Sequence, residues 1–579
     1  MCGIAGISLF KPNKNISKKF LNIQKYIIHR GPENIGLYSD PNLTLLHTRL
    51  SIVDVEGGSQ PIENHNFVLV ANGEIYNDLE IRKKNKIKNN YKYITNSDSE
   101  SILALYKEGG VEAIKELRGM YAFSIYDKKK NEVIIARDPF GIKPLYFSLS
   151  NHGIYFCSEM KGLKNIASEK LEIDNFKIQE LMQLQYSTGF DTVYKNIKRV
   201  APGQVLVIKK GRIIKSFTNK LPKKKKILKY SDDYIEKSIK ESISTHLRSD
   251  VPLCIFFSGG IDSMLLLHYL NKLEKKNVTA YSIFFKDTPS FYLKKLTANY
   301  KIDLIDENFS ESDFWNWIFF AAKYIDEPIA DYAILPTFKL ASIASKHYKV
   351  AITGEGGDEL FGGYGRYKKT QRFFFKKRNF IPSGEFRGIL KNKFENWEYK
   401  VKNFNSFLNN DYTILQRFQL FDYHNWLPNN LLIKLDRCLM AFGMEGRTPF
   451  VDKKLFENLF YIDDKKKINN GFGKFYIRKL LEKNIPYYNS FNKKKGFTVP
   501  IYDWIPKKIG YLEDLLLKQK FLLDFFTKEE IMDVCKSVKN NKKFSKPLWH
   551  IIFFTAWYLV NVNSIKNTGN FFDILSDCK

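Results

Sequence analysis

Two glycine-rich turns and a cysteine at the second position carry residue types and spacings that could do chemistry. The first turn, Ser258-Gly259-Gly260-Ile261-Asp262-Ser263, follows a short apolar run and precedes a helical pattern. Glycines there let backbone N–H groups close on a phosphate, and the helix N-terminus adds donors and a favourable dipole. The turn lacks the Gly-x-x-x-x-Gly-Lys-Ser/Thr spacing of a Walker A loop. Taken alone it could be a tight strand-to-helix turn capped by Asp262 or Ser263. The second turn, Thr353-Gly354-Glu355-Gly356-Gly357-Asp358-Glu359-Leu360-Phe361-Gly362-Gly363-Tyr364, brackets three carboxylates with glycines, more acid than a structural turn needs. Magnesium takes few carboxylates together with phosphate oxygens, so Asp262 and Asp358 on neighbouring strand ends are a candidate pair for one ion. At Cys2, removal of the initiator Met would expose a thiol and an α-amine of pKa about 8, low enough to act as its own base. A free cysteine is otherwise most often a small buried hydrophobe.

The elements around these residues change character along the chain. Up to about residue 215, short alternating runs such as Leu43–Leu46, Phe67–Val70, Met120–Tyr126, Glu132–Ala136, Leu145–Ser148, Ile154–Cys157 and Val205–Ile208 predict strands. Ile16–Ile28 and Ser99–Lys107 predict helices, giving an α+β region of packed sheets. Lys220-Leu221-Pro222-Lys223-Lys224-Lys225-Lys226 predicts a linker. Beyond it Ile235, Ile239, Ile243 and Leu247 repeat every fourth residue as an amphipathic helix. Strands at Leu253–Phe257, Thr279–Phe285, Asp303–Ile305 and Val350–Thr353 then alternate with helices at Asp262–Lys272, Tyr292–Asn299, Phe314–Tyr324 and Thr337–Lys346. That alternation means right-handed crossovers and a parallel sheet. After Phe361 the pattern is mainly helical.

Composition excludes several classes. The chain has 579 residues, 44% hydrophobic and 27% charged, which rules out wholesale disorder. Its 92 Lys+Arg against 62 Asp+Glu give a net charge of +30, but the lysines are scattered rather than gathered on one element, which reads as solvated surface and not as a nucleic-acid site. Six cysteines lie far apart without a Cys-x-x-Cys pair, against a zinc site or disulfide scaffold and in keeping with a reducing cytoplasm. The apolar run Ile551–Val560 is shorter than the roughly 18 residues a membrane span needs. No basic segment precedes the short apolar start, so no export signal is expected.

Independent motifs in a fixed order identify a resemblance. Ser258–Ser263 resembles the PP-loop of ATP pyrophosphatases. Cys2-Gly3-Ile4, His29-Arg30-Gly31-Pro32, Arg49-Leu50-Ser51-Ile52-Val53-Asp54, Asn72-Gly73-Glu74-Ile75-Tyr76-Asn77, Ser97-Asp98, Arg137–Tyr146 and Ser158-Glu159 resemble the class II glutamine amidotransferases. Together, from Cys2 to about Trp504, the chain resembles the glutamine-hydrolysing asparagine synthetases of the B type. The resemblance implies an Ntn-hydrolase-like αββα sandwich over residues 1–215, a linker over 216–233, and an α/β PP-loop synthetase domain with a helical C-terminal part over 234–579.

The resemblance also implies residue roles. Cys2 would attack the glutamine amide, with Asn72 and Gly73 as oxyanion donors. Arg49 would meet the α-carboxylate, Glu74 and Asp98 the α-ammonium, and Leu50, Ser51, Ile52 and Val53 would complete the pocket. Ammonia would pass through an internal tunnel to a β-aspartyl-AMP made from aspartate and ATP. Ser258, Gly259, Gly260, Asp262 and Ser263 would cradle pyrophosphate, with Mg²⁺ on Asp262 and Asp358. Phe256, Phe285, Thr353 and Gly354 would line the adenine pocket, although both phenylalanines could equally be sheet core. Glu355 would serve the adenylate step, and Lys494, chosen among Lys493, Lys494 and Lys495, would stabilise charge. Asp436-Arg437 and Glu445–Phe450 match the family too, as support. The implied partners are glutamine, aspartate and ATP, without nucleic acid or membrane, in a cytoplasmic homodimer. One departure concerns the acceptor. The segment Asp326–Pro336 lacks the Arg that helps hold aspartate in familiar members, and so resembles a second branch that includes both asparagine synthetases and amidotransferases for sugar carboxylates.

Overall fold

A computed structural model describes residues 2–578 apart from 89, 167–170, 220, 222–229, 274–277, 286–290, 372–383, 391–396, 399–410 and 493–497. The first part is built from β1 (Cys2–Leu9), β2 (Asn34–Asp40), β3 (Leu43–Arg49), β4 (Ile62–Glu63), β5 (Phe67–Ile75), β6 (Gly119–Asp127), β7 (Glu132–Arg137), β8 (Tyr146–Ser150), β9 (Gly153–Cys157), β10 (Ile197–Arg199), β11 (Gln204–Lys209) and β12 (Arg212–Thr218). They form two antiparallel six-stranded sheets, ordered β10-β8-β9-β1-β3-β2 and β12-β11-β7-β6-β5-β4. Ile4, Leu45, Val68, Val70, Ala122, Ile135 and Phe156 fill the space between them. On the outer face of the second sheet lies helix α1 (Glu100–Ala113), through Ile102, Leu103 and Tyr106. With Phe20, Ile23, Ile27, Met160 and Leu163 of helical segments packed on the other face of the first sheet, this is the helix–sheet–sheet–helix layering that the resemblance implied.

β1 is buried on both faces, so Cys-Gly-Ile-Ala-Gly-Ile-Ser-Leu shows no alternation and gives no strand signal of its own. Its partner β3 sets Cys2 opposite Arg49 and Ile4 opposite His47. Because side chains alternate along a strand, Cys2, Ile4, His47 and Arg49 share one face.

Helix α2 (Asn175–Leu184) belongs to the first part, and α3 (Asp232–Thr245) opens the second. In α3, Ser231 caps the N-terminus by accepting from Tyr234 N, Asp232 and Asp233 complement the dipole, and Ile235, Ile239 and Ile243 are buried. The parallel sheet has the order β15-β14-β13-β16-β17, from β13 (Leu253–Phe256), β14 (Thr279–Phe284), β15 (Leu304–Asn308), β16 (Val350–Ile352) and β17 (Glu445–Arg447). Between the strands run α4 (Ile261–Leu273), α5 (Glu311–Tyr324) and α6 (Ile334–Ala344). A capping box of Ser310 and Asp313 starts α5. The three-residue β17 carries no strand signal, and the sequence reading left it out of the sheet. Later come α7 (Gly357–Phe361), α8 (Leu432–Met440), α9 (Phe475–Asn484) and α10 (Ser545–Asn561). In α10, Trp549, Phe553, Phe554 and Trp557 are buried, so the apolar run is a core helix as expected. Among the described residues no helix is long and apolar enough to cross a membrane.

The two parts share buried ion pairs. Arg30 donates to both Asp436 carboxylate oxygens at 2.7 and 2.9 Å and to Glu159 at 2.9 Å. Its Nε also donates to the Cys2 carbonyl at 3.2 Å. Arg437, beside Asp436 on α8, holds Asp326 at 2.8 Å, and Arg199 pairs with Glu327. Asp436-Arg437 and the Asp326-Glu327 segment therefore join the halves. Breaking one member of such a buried set costs about 3–5 kcal/mol, because the partner is left charged and dry.

Candidate active sites

In the first part, the backbone N–H of Cys2 donates to Asn72 Oδ1 at 3.0 Å. Asn72 is fully buried on β5, and its Nδ2 has no hydrogen-bond partner among the described residues. A buried donor left unpaired beside a cysteine is poised for an oxygen that arrives with a ligand. Gly73 follows at φ +152°, and a Cβ there would stand 2.0 Å from the Met120 carbonyl, so only glycine fits. Burial alone would push the Cys2 thiol up; the charge of His47, the chain amine and a hydrogen bond with His47 outweigh that and bring it down to about 6. His47 lies diagonally across from Cys2 on β3, and its Nε2 meets the Ala71 carbonyl at 3.2 Å. The sequence reading missed it, although its place two residues before Arg49 on the same strand face was available as a signal.

The other residues expected to hold glutamine surround this point. Arg49 is buried and donates through Nη2 to the Asp54 carbonyl at 2.6 Å. Asp98 accepts from Ile75 N at 2.6 Å, and burial pushes its carboxyl up to about 6 against that hydrogen bond, with Asp78 adding to the rise. Burial and Asp98 push the Glu74 carboxyl up as well, opposed by Arg447. Crowded carboxyls of this kind favour an incoming cation. Leu50, Ser51 and Ile52 are buried, and Val53 is half-buried. Their loop is held by Ser51 N to Glu33 at 2.7 Å and by Asp250 N to the Ile52 carbonyl at 3.0 Å. Arg447 reaches in from β17 of the other half, with Nη2 3.1 Å from Glu74 Oε1.

In the second part the two glycine turns abut at the ends of β13 and β16. Modest space decides this: a Cβ on Gly357 would stand 2.5 Å from Asp262 Oδ1, and one on Gly354 3.0 Å from Asp262 Cβ. Gly259 takes φ +68° and Gly356 φ +87°, left-handed conformations that favour glycine. Ser258 Oγ lies 3.2 Å from Ser263 Oγ, and Gly260 N donates to Ser258 Oγ at 3.3 Å. Thr353 N donates to the Arg447 carbonyl at 2.9 Å. Ser258, Gly260, Asp262, Ser263, Thr353, Gly354, Glu355 and Asp358 line one cavity of about 520 Å³. Phe256 lines it too, whereas Phe285 stands edge-on to Phe309 with ring centres 6.0 Å apart.

Lys474, just before α9, brings a cation into this cavity. Its Nζ is 2.7 Å from Asp358 Oδ1 and also contacts Asp262 Oδ2. The side chain is 2% exposed. Burial would lower its affinity for a proton, but the two carboxylates reverse that and hold it charged. The Lys474 ammonium fills the point where the two aspartates converge; a divalent ion shared with phosphate oxygens would use the same two carboxylates beside it. Sequence reasoning missed Lys474, which is 212 residues from Asp262. Lys494 lies outside the described residues.

The comparisons agree with this geometry. A family model described as glutamine amidotransferase domain matches residues 1–218, and one described as asparagine synthase matches residues 234–559. Asparagine synthetase [glutamine-hydrolyzing] 1 of Bacillus subtilis is 30% identical, over 97% of both chains. The chain belongs to the asparagine synthase family. Other members similar to it include a putative asparagine synthetase of Mycobacterium tuberculosis, 27% identical over 92% of both chains. Asparagine synthetase B of Escherichia coli is 27% identical over 87% of this chain and 83% of its own. ATP binding and ligase chemistry follow from membership in the family.

Proposed function

We propose that this chain is a glutamine-dependent asparagine synthetase with a glutaminase domain at 1–215, a linker at 216–233 and a synthetase domain at 234–579. The observation that carries the reading is the pairing, in one chain, of a low-pKa thiol beside an unpartnered buried amide donor with a cavity where two glycine turns bring Asp262, Asp358 and Lys474 together. Arg49 takes the glutamine α-carboxylate, and Glu74 and Asp98 take its α-ammonium. Cys2 Sγ attacks the side-chain amide carbon, and Asn72 Nδ2 and Gly73 N–H hold the oxygen as charge develops on it. Collapse expels ammonia and leaves a γ-glutamyl thioester, which water hydrolyses to glutamate and the free thiol.

At the second site an oxygen of the aspartate β-carboxylate attacks the α-phosphorus of ATP, pyrophosphate leaves, and ammonia then displaces AMP from the acyl carbon. The Ser258–Ser263 turn cradles pyrophosphate, Phe256, Thr353 and Gly354 wall the nucleotide side, and Glu355 serves the adenylate step. Asp262 and Asp358 would hold magnesium, which supplies charge neutralisation to the phosphates when bound. Lys494 keeps the charge-stabilising part that the resemblance gives it, and Lys474, held between Asp262 and Asp358, adds a fixed cation beside the phosphate-binding turn. Six free cysteines suit a reducing cytoplasm, and the resemblance implies a homodimer.

Pyrophosphate release from the purified protein, with ATP, Mg²⁺ and glutamine, tests the acceptor. We expect release that depends on aspartate and is matched by asparagine. Release that depends on a sugar carboxylate and ignores aspartate would overturn this reading.

A further inference from the structure

One wall of the synthetase cavity comes from the glutaminase half. Helix α2 is pinned at its C-terminus to three segments of the other half. The Met182 carbonyl accepts from His550 Nδ1 at 2.7 Å. Gln183 accepts from Glu385 N through its carbonyl and from Phe386 N through Oε1, each at 3.1 Å. The Gln185 carbonyl accepts from Ala330 N at 2.7 Å, next to Asp331. This anchorage holds Gln185 at φ +68°, uncommon for a residue with a side chain. Gln185 is 6% exposed and lines the cavity, and its carboxamide has no partner among the described residues.

Beside it on the same wall, Lys434 Nζ lies 3.0 Å from Asp331 Oδ2, and both residues are more than nine-tenths buried. Asp331 Oδ1 also accepts from Ala333 N at 3.0 Å. Glu355 of the second glycine turn lines the cavity with them.

We propose that Gln185, with Lys434 and Asp331, reads the non-reacting end of the acceptor, so that the glutaminase half supplies a specificity-determining residue to the synthetase reaction. This rests on the proposed function. Aspartate carries an α-ammonium and an α-carboxylate beside its reacting β-carboxylate. Asp331 matches the ammonium, Lys434 the carboxylate, and the Gln185 amide N–H a second hydrogen bond to that carboxylate. An opposite-sign pair facing a zwitterion keeps every buried charge compensated. A sugar acid, with hydroxyls and no ammonium, gives Asp331 no cation to meet.

The test is steady-state kinetics of Gln185→Ala and of Gln185→Asn, which keeps a residue tolerant of the left-handed region. A hydrogen bond to a charged group is worth enough that KM for aspartate should rise about tenfold or more in both. KM for ATP, glutaminase kcat/KM and the thermal midpoint should stay unchanged. A folded Gln185→Ala enzyme with an unmoved KM for aspartate would overturn the inference. So would an equal loss in aspartate, ATP and glutamine parameters, which marks a merely structural role. Failure of the unsubstituted enzyme to turn over aspartate would instead sink the proposed function, and this inference with it.

Discussion

Replacing Lys474 with Met removes one charge while keeping most of the side-chain volume, and the structure says what should follow. The ammonium contacts Asp358 at 2.7 Å and Asp262 from a side chain that is 2% exposed, whereas the two aspartates are 20% and 18% exposed. Without the lysine, two close carboxylates face each other. Solvent reaching them blunts that repulsion, so the stability cost should fall below the roughly 3–5 kcal/mol of a fully buried broken pair. The effect on rate should be larger. A fixed cation aimed at charge developing on a leaving pyrophosphate belongs with preorganised electrostatic groups, whose removal costs about 2.7–4 kcal/mol, or 10²–10³ in kcat. The assay is pyrophosphate release with saturating ATP and aspartate, set against glutamate formation by the same sample. Lys474→Met should lose the first about 10²–10³-fold and keep the second. Lys474→Arg restores charge without the compact ammonium, and should recover stability before rate. Pyrophosphate release within about tenfold of the unsubstituted enzyme would refute the reasoning. Equal loss of glutaminase would refute the separation of the sites.

Asn72→Asp keeps an acceptor for Cys2 N but removes the donor and adds a negative charge where the oxyanion forms, so glutaminase kcat should fall about 10²–10³-fold with the KM for glutamine little changed. A change confined to KM would mean that Asn72 only binds. The pH profile gives a second check. Because the Cys2 thiol is lowered to about 6, thiolate is present above that pH and lost below it, so glutaminase kcat/KM should rise with pH through about 6 and then level. Burial raises the thiol and His47 lowers it, so His47→Gln should move that rise upward by about one unit or more. An unmoved profile would remove His47 from the account.

What was legible in the sequence was local. Glycine turns, the Asn72-Gly73-Glu74 run and the Arg49 loop each place their residues within a few positions of each other; residue types and spacing suggested the phosphate chemistry of the glycine turns, and the resemblance supplied the roles of Asn72, Gly73, Glu74 and Arg49. The alternating strands and amphipathic helices read close to the observed elements for the same reason. What was not legible came from the tertiary fold. Lys474 reaches Asp262 across 212 residues, and Arg447 reaches Glu74 from a three-residue strand whose Glu-Gly-Arg has no periodicity to read. Gln185 caps a helix whose Leu-Met-Gln-Leu end reads as buried core, and nothing local marks it until its anchorage to Ala330 is seen. β1 escaped notice because a strand buried on both faces does not alternate. Phe285 was equally readable as nucleotide wall or as core, and its half-buried ring, edge-on to Phe309, is compatible with either.

The central claim is that ammonia made at Cys2 is used at a separate, ATP-driven site in the same chain. Cys2→Ala measures it most directly, with asparagine formation assayed once with glutamine and once with ammonium chloride as nitrogen source. The account predicts that synthesis from glutamine vanishes while synthesis from ammonia continues at the unsubstituted rate. Loss of both together, in a folded enzyme that still binds ATP, would contradict it.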